Sequence, residues 1–332
     1  MFFSKVSIVS ITLVSLLMPT AASALSFSSV IAFGDSLTDN GNIAFLDTPD
    51  FQEVPFGGLQ PSTAYENGRF TNGPTWVETL ANRLGVSISA SLEGGTNYAY
   101  GGSRTGPLGT LPPASPSLLD QLASFQTDIG GLAPSDALYV IWGASNDGFD
   151  AGLQKLQGND PGATAIINQA VNNVTTIITE LKNAGAKTIV VPNVIDLGSL
   201  PIIPRVGLSP ANYTMIAVEY NALLSSALEP FRNDPTMDLI EIDAFSYFTS
   251  IFTSPEKFGI TNTSDPCVDL DIVCSNPNEF LFYDGLHPTV TFHQQFGEFV
   301  ASQVTVPEPS STIGICIATG MGLLFSKRKI FQ

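Results

Sequence analysis

A serine, a histidine and an acid are the residues of this chain whose types and spacing could do chemistry. Phe33-Gly34-Asp35-Ser36-Leu37-Thr38-Asp39-Asn40-Gly41-Asn42 follows the apolar run Val30-Ile31-Ala32, so Ser36 stands where a buried strand gives way to a polar turn. A hydroxyl at such a corner is lifted clear of the sheet, and the neighbouring backbone N–H groups point the same way. Nucleophilic attack on an acyl carbon is the chemistry that this placement suits. A neutral serine needs a base, and the chain has 2 histidines. His287 lies in Asp284-Gly285-Leu286-His287-Pro288, three residues after an acid. In a tight turn that spacing brings the carboxylate to one imidazole nitrogen and leaves the other facing Ser36. His293 falls most of two helical turns into a final helix and is expected to point elsewhere, as a packing residue.

Attack on a carbonyl places negative charge on its oxygen, and each pre-aimed donor can contribute about 3 kcal/mol to the transition state. Three candidates are available: the backbone N–H of Ser36, the backbone N–H of Gly102 in Gly101-Gly102-Ser103, and the side-chain amide of Asn146 in Asn146-Asp147. Asp35, Asp39, Asn40, Asn42 and Asp147 are expected to support the turns, since short polar side chains bond to nearby backbone.

The elements that must position these residues are legible as alternation. Buried parallel strands are expected at Ser29 to Phe33, Asn97 to Tyr100, Ala137 to Trp142, Thr188 to Val191 and Leu239 to Ile242. Helical spacing lies between them: Trp76, Leu80 and Leu84 stopping at Gly85, Leu118 to Phe125, and Ile166 to Leu181 stopping at Gly185. Two more helices are expected, over Ala211 to Leu228 and after Pro288. Strands alternating with helices predict an α/β domain with a mostly parallel sheet. Such sheets bind ligands beyond the carboxyl ends of their strands, where Ser36, Gly102 and Asn146 all fall.

The order of these blocks, Gly-Asp-Ser-Leu, then Asn-Tyr-Ala-Tyr-Gly-Gly, then Asn-Asp, then Asp-x-x-His, resembles the GDSL family of lipases and esterases, also called SGNH hydrolases. Gly68-Arg69-Phe70-Thr71-Asn72-Gly73-Pro74-Thr75-Trp76-Val77-Glu78 looks like a block typical of the family's larger members. The resemblance implies a flavodoxin-like three-layer α/β/α sandwich and the activity of a secreted serine ester hydrolase working through an acyl-enzyme. It implies Ser36 as nucleophile, Asp284 as orienting acid, His287 as base, and Ser36, Gly102 and Asn146 as oxyanion donors, with no cofactor and no metal. One departure stands out. The third block usually reads Gly-x-Asn-Asp, and here Ala144 occupies the glycine position, which costs little if its φ is negative.

The two ends read as address labels. Lys5, the apolar stretch Val6 to Met18 and Ala22-Ser23-Ala24 predict an export signal over residues 1–24. Val306-Pro307-Glu308-Pro309, an uncharged stretch over 312–326 and Lys327-Arg328-Lys329 resemble the PEP-CTERM sorting signal of exopolysaccharide-producing bacteria. That resemblance implies transient membrane anchoring, signal peptidase and an exosortase as processing partners, and a place in the cell envelope or extracellular matrix. Residues 25–305 remain as the hydrolase domain, with 306–332 as the sorting segment, and roughly 280 residues suffice for one large core. Between the two ends stand nine basic residues against twenty-nine acidic ones, a formal charge of −20. Such a chain is not a nucleic-acid binder, because phosphate neutralisation needs clustered Lys and Arg. The expected state is a monomer acting on a small-molecule, lipid or acetylated-polysaccharide ester. Cys267 and Cys274 fall in one polar loop, and export makes them a disulfide candidate.

Two other readings use the same residues. A metallophosphoesterase would take Asp35, Asn146, Asp147, Asp284 and His287 as ligands, but two-metal sites need more histidines than this chain has. A non-catalytic matrix protein that binds polysaccharide on the same fold would suit the acidity and the tail, yet would have no reason to keep Ser36, Asp284 and His287 together.

Overall fold

The computed structural model of the protein describes residues 26–45, 65–107, 115–269 and 272–305. The export and sorting segments lie outside the described residues.

Four short β-branched and aromatic runs form the central sheet. These are β1 (Val30–Gly34), β2 (Leu138–Trp142), β3 (Thr188–Pro192) and β4 (Asp238–Ile242), parallel and in that spatial order. β1 pairs with β2 from Val30 opposite Leu138 to Gly34 opposite Trp142, so Ser36 leaves the sheet beside Gly143. The segment expected as a strand at Asn97 to Tyr100 is a correction: only Asn97 bridges Ala32. The chain still runs along β1, with Tyr98 N–H donating to the Ala32 carbonyl at 2.8 Å and Tyr100 N–H to that of Gly34 at 3.3 Å. The Asn97 side chain takes the Ala99 N–H at 3.0 Å, a local bond that competes with the ladder and curls the backbone away.

Both faces of the sheet are covered, which is why β1, β2 and β3 are buried throughout. Side chains alternate between two helical layers. On one face Phe33 and Tyr139 pack on Phe125 of α3 (Leu118–Asp128). On the other, Trp142 meets Trp76, which opens α2 (Trp76–Arg83), and Phe296 of α9 (Val290–Thr305). α1 (Asn42–Phe45) is a single turn after the Ser36 loop. α4 (Ser145–Leu156), α5 (Asp160–Ala184) and α7 (Pro210–Arg232) pack on one another. α5 starts at an Asn159 cap that accepts the Gly162 N–H and stops at Gly185, whose φ of +117° no other residue type adopts cheaply. α6 (Ile202–Arg205) is one turn, and α8 (Ala244–Thr253) joins α9 through Tyr247, stacked on Phe299 with centroids 4.7 Å apart. The result is the α/β/α sandwich with a mostly parallel sheet that the block order implied.

Between α8 and α9 the chain makes small extended pairs. β5 (Asn262–Pro266) pairs with β8 (Phe280–Phe282), and β6 (Val268–Asp269) with β7 (Ile272–Val273). A disulfide between Cys267 and Cys274 closes the β6–β7 hairpin. Closing a loop this short stabilises by roughly 2.5 kcal/mol in the chain-entropy account. No helix among the described residues is long and apolar enough to cross a membrane.

Candidate active site

Ser36 follows β1 in a turn that Asp35 holds shut. The Asp35 carbonyl accepts the Thr38 and Asp39 N–H groups, and its Oδ1 accepts the Leu37 N–H at 3.0 Å. Gly34 must be glycine, because a Cβ there would sit 2.7 Å from the Trp142 carbonyl oxygen and 2.9 Å from Thr38 Cβ. The buried Gln121 amide brackets Gly34, accepting its N–H at 2.9 Å and donating to its carbonyl at 2.8 Å.

The far end of the chain meets this turn. His287 Nε2 lies 2.8 Å from Ser36 Oγ, and Nδ1 lies 2.7 Å from Asp284 Oδ2. Asp284 Oδ1 accepts the N–H groups of Leu286 and His287, each at 2.7 Å, and Oδ2 also accepts the Tyr65 hydroxyl at 2.8 Å. Burial pushes the Asp284 carboxyl up, but His287 and these donors outweigh it and hold the group below the usual carboxylate range. The acid therefore stays ionised beside the imidazole. His293 takes no part: it is buried, its Nδ1 accepts the Trp76 N–H at 3.2 Å, and burial with the nearby His287 charge pushes it down to about 3.

The loop Gly101–Thr105 is clamped from two sides. Asp39 Oδ2 accepts the Gly101 N–H at 2.8 Å while its Oδ1 caps α1 through the Gly41 and Asn42 N–H groups. Asp147 accepts the Thr105 N–H at 3.0 Å and hydroxyl at 2.7 Å, and Asn146 Nδ2 donates to the Ser103 carbonyl at 2.8 Å. Asn42 reaches the carbonyls of Asn97 and Ala99, and Asn40 bonds to the Asn97 amide. Gly102 turns at φ +76°. Among the described residues, no hydrogen bond occupies the backbone N–H of Ser36 or Gly102. Ser36, Asn146 and His287 share one cleft, with apolar walls from Leu37, Phe149, Leu197, Leu200 and Leu286; Gly102 does not line it but belongs to the loop that Asn146 holds.

Ala144 departs from its expectation. Its φ is +83°, the left-handed region, so the family's glycine position keeps a glycine conformation here with an alanine in it. Asn146 nevertheless lies in the first turn of α4 and lines the cleft.

The arrangement supplies a hydroxyl, a base hydrogen-bonded to it, an ionised acid orienting the base, and unoccupied N–H donors nearby. Across residues 30–300 the chain matches the family model described as GDSL-like Lipase/Acylhydrolase. The chain belongs to that family. As a member of the GDSL family it is a carboxylic ester hydrolase. It is 29% identical over 257 residues to the phosphatidylcholine-sterol acyltransferase of Aeromonas hydrophila, covering 77% of this chain and 70% of that one. Acetylajmalan esterase 2 of Rauvolfia serpentina is 24% identical over 336 residues, covering 84% and 90% of the two chains. Among solved structures, the acetylxylan esterase Axe2 of Geobacillus stearothermophilus aligns with a TM-score of 0.47 at 14% identity, over 86% of this chain and 97% of that one.

The Gly68–Glu78 block was recognisable in the sequence only as a recurring string, and what its side chains touch around this GDSL site was not. Phe70 packs on the His287 ring with centroids 5.1 Å apart, Thr71 Oγ1 donates to the Pro288 carbonyl at 2.9 Å, and Asn72 Oδ1 caps α9 by accepting the Val290 N–H at 2.8 Å. Arg69 grips Glu78 with two bonds of 2.8 and 2.6 Å, while Glu78 accepts the Thr75 N–H at the start of α2. The block over 68–78 thus braces the base. Of the other phenylalanines, Phe149 walls the cleft, Phe252 packs on Phe248 and Phe282, and Phe45 is half exposed. Among the described residues no group of His, Cys, Asp or Glu converges as a metal site.

Proposed function

We propose that this GDSL-family chain is an exported serine esterase that cleaves carboxylic esters through an acyl-enzyme on Ser36. The observation that carries the reading is the unbroken relay Ser36–His287–Asp284, with contacts of 2.8 and 2.7 Å. His287 takes the Ser36 proton as Oγ attacks the ester carbonyl, and the oxyanion is received by the Ser36 N–H and the second amide hydrogen of Asn146, with the Gly102 N–H, on the loop that Asn146 holds, as the third donor that the family resemblance implies. Collapse expels the alcohol, which His287 protonates. Water then repeats the attack on the acyl-serine, with the same proton transfers, and frees the acid. Asp284 keeps the imidazole in its working tautomer throughout, without taking a proton itself.

The leucine and phenylalanine walls of the cleft suit an apolar acyl group, on a small alcohol, a lipid or an acetylated polysaccharide. Export rests on residues 1–24 and on the PEP-CTERM-like residues 306–332, and the Cys267–Cys274 disulfide suits an oxidising compartment. Ser36→Ala is expected to lower p-nitrophenyl ester turnover by at least about a thousandfold while thermal unfolding stays near that of the wild type. Wild-type turnover in that variant would remove Ser36 from the mechanism. Rates on acetyl, butyryl and palmitoyl esters of the same phenol would then rank the acyl groups.

A further inference from the structure

Four hydrogen bonds converge on the Asp284 carboxylate, and one of them comes from a side chain that no motif contains. Tyr65 donates its hydroxyl to Oδ2 at 2.8 Å, the same oxygen that His287 Nδ1 approaches at 2.7 Å. We propose that Tyr65 is a positioning residue for the Asp284–His287 pair, seated there by the disulfide-closed hairpin. The proposal rests on the esterase reading of Ser36, Asp284 and His287.

The two main-chain donors to Asp284, from Leu286 and His287, both bind Oδ1. They come from the tight turn itself and fix one oxygen only. Among the described residues Oδ2 would otherwise have the imidazole as its single partner, and the carboxylate could rotate about χ2, a broad and soft torsion. The Tyr65 hydroxyl supplies the second bond to Oδ2 and fixes the plane of the acid. A hydroxyl bonded to the ionised form also favours that form, in keeping with the lowered Asp284 carboxyl.

The seat of Tyr65 is the hairpin. Tyr65, Cys267, Val268 and Tyr283 form a buried cluster of their own, against which Cys274 and Phe280 pack. The Tyr65 ring meets Tyr283 edge-on with centroids 5.2 Å apart. The hairpin is tied to the strand that leads into Asp284: Cys267 N–H donates to the Phe282 carbonyl at 3.1 Å and Val268 N–H to that of Tyr283 at 2.7 Å. Tyr283 N–H in turn donates to the His287 carbonyl at 2.7 Å. The disulfide, the tyrosine and the acid therefore stand in one frame, which explains why a covalent staple sits beside a site that uses no cysteine.

The test compares wild type, Y65F, C267S/C274S and the triple variant, with S36A as control, on p-nitrophenyl acetate. Y65F keeps the packed ring and removes the donor. Its kcat is expected to fall about tenfold, the scale of one hydrogen bond to a charged group, with KM within about twofold. The acid limb of its kcat/KM profile, which reports protonation of the Asp284–His287 pair as a unit, is expected to move to higher pH. C267S/C274S is expected to lose kcat in the same sense, and the triple variant to lose no more than the larger single loss, because both act on one group. Wild-type kcat and pH profile in Y65F, with S36A inactive and Y65F melting as the wild type does, would overturn the role of Tyr65. Losses that multiply in the triple variant would overturn the seating by the hairpin. Activity in S36A would instead bring down the esterase reading on which both rest.

Discussion

Ala144 shows how a single residue can carry a local cost for the geometry of a site. An L-residue in the left-handed region costs about 1–2 kcal/mol, yet its methyl is buried in the core cluster, where a methyl group is worth about 0.8 kcal/mol. Glycine would relieve the first and forfeit the second, besides adding chain entropy to the unfolded state. Ala144→Gly is therefore expected to unfold within about 1 kcal/mol of the wild type, read by urea denaturation. Ala144→Val places a β-branched side chain at φ +83° and is expected to cost about 2 kcal/mol or more and to lower kcat through Asn146. Wild-type stability in the valine variant would show that the turn does not hold its dihedral. At this scale the meeting of Ser36, His287 and Asp284 was legible because each sits in a short block with its own local reason, a strand end or an acid three residues before a base. Tyr65 and Gln121 were not, nor were the contacts of Phe70 and Asn72, which the sequence shows only as members of a recurring block. Their partners lie 219, 87, 217 and 218 positions away, and an isolated tyrosine or glutamine has no pattern that announces such a bond.

Helices were legible where an apolar stripe meets a stop signal, as in α5, and strands where the run is buried on both faces, as in β1 to β3. The Asn97 segment escaped because the choice between ladder and turn lay with the Asn97 side chain, which periodicity does not weigh. Packing between elements was not legible either. α2 and α9 cross where Gly297 meets the start of α2: a Cβ on Gly297 would lie 2.4 Å from the Trp76 carbonyl oxygen and 2.7 Å from Thr79 Cβ. The obstacle is backbone, which cannot swing aside as a flexible side chain can. Gly297→Val should force α9 away from α2, costing about 3 kcal/mol and lowering Tm by more than about 5 °C. Because Asn72 caps α9 beside Pro288, kcat is expected to fall as well, while a valine variant that melts with the wild type would mean the two helices part freely.

Across the whole molecule, acidity shapes stability through three buried carboxyls. Burial pushes Asp35, Asp39 and Asp147 each up to about 6, against partial compensation by backbone and hydroxyl donors. Asp35 makes the point most directly: its Oδ2 is buried with no hydrogen-bond partner among the described residues. An acid whose folded pKa lies above its unfolded value binds more protons folded than unfolded between the two, so stability falls as pH rises through that window. For these three the window runs from about 4 to about 6. Asp284 works with the opposite sign. Its lowered carboxyl contributes stability above the unfolded value, and that contribution is lost only as pH falls below the usual carboxylate range. His293, held down to about 3, opposes the three carboxyls, because below about pH 6.5 the unfolded chain binds its proton first. Three carboxyls outweigh one imidazole, so the protein is expected to be most stable in mild acid, with Tm a few degrees higher at pH 5 than at pH 7.5. Relief of repulsion among the many surface acids acts in the same direction and is screened by salt, whereas the buried groups are not. Scanning calorimetry at pH 5 and 7.5, in low salt and in 0.5 M salt, separates them: a Tm difference that survives salt and shrinks in Asp35→Asn belongs to the buried carboxyls. A difference abolished by salt and untouched by that substitution would assign the effect to the surface instead.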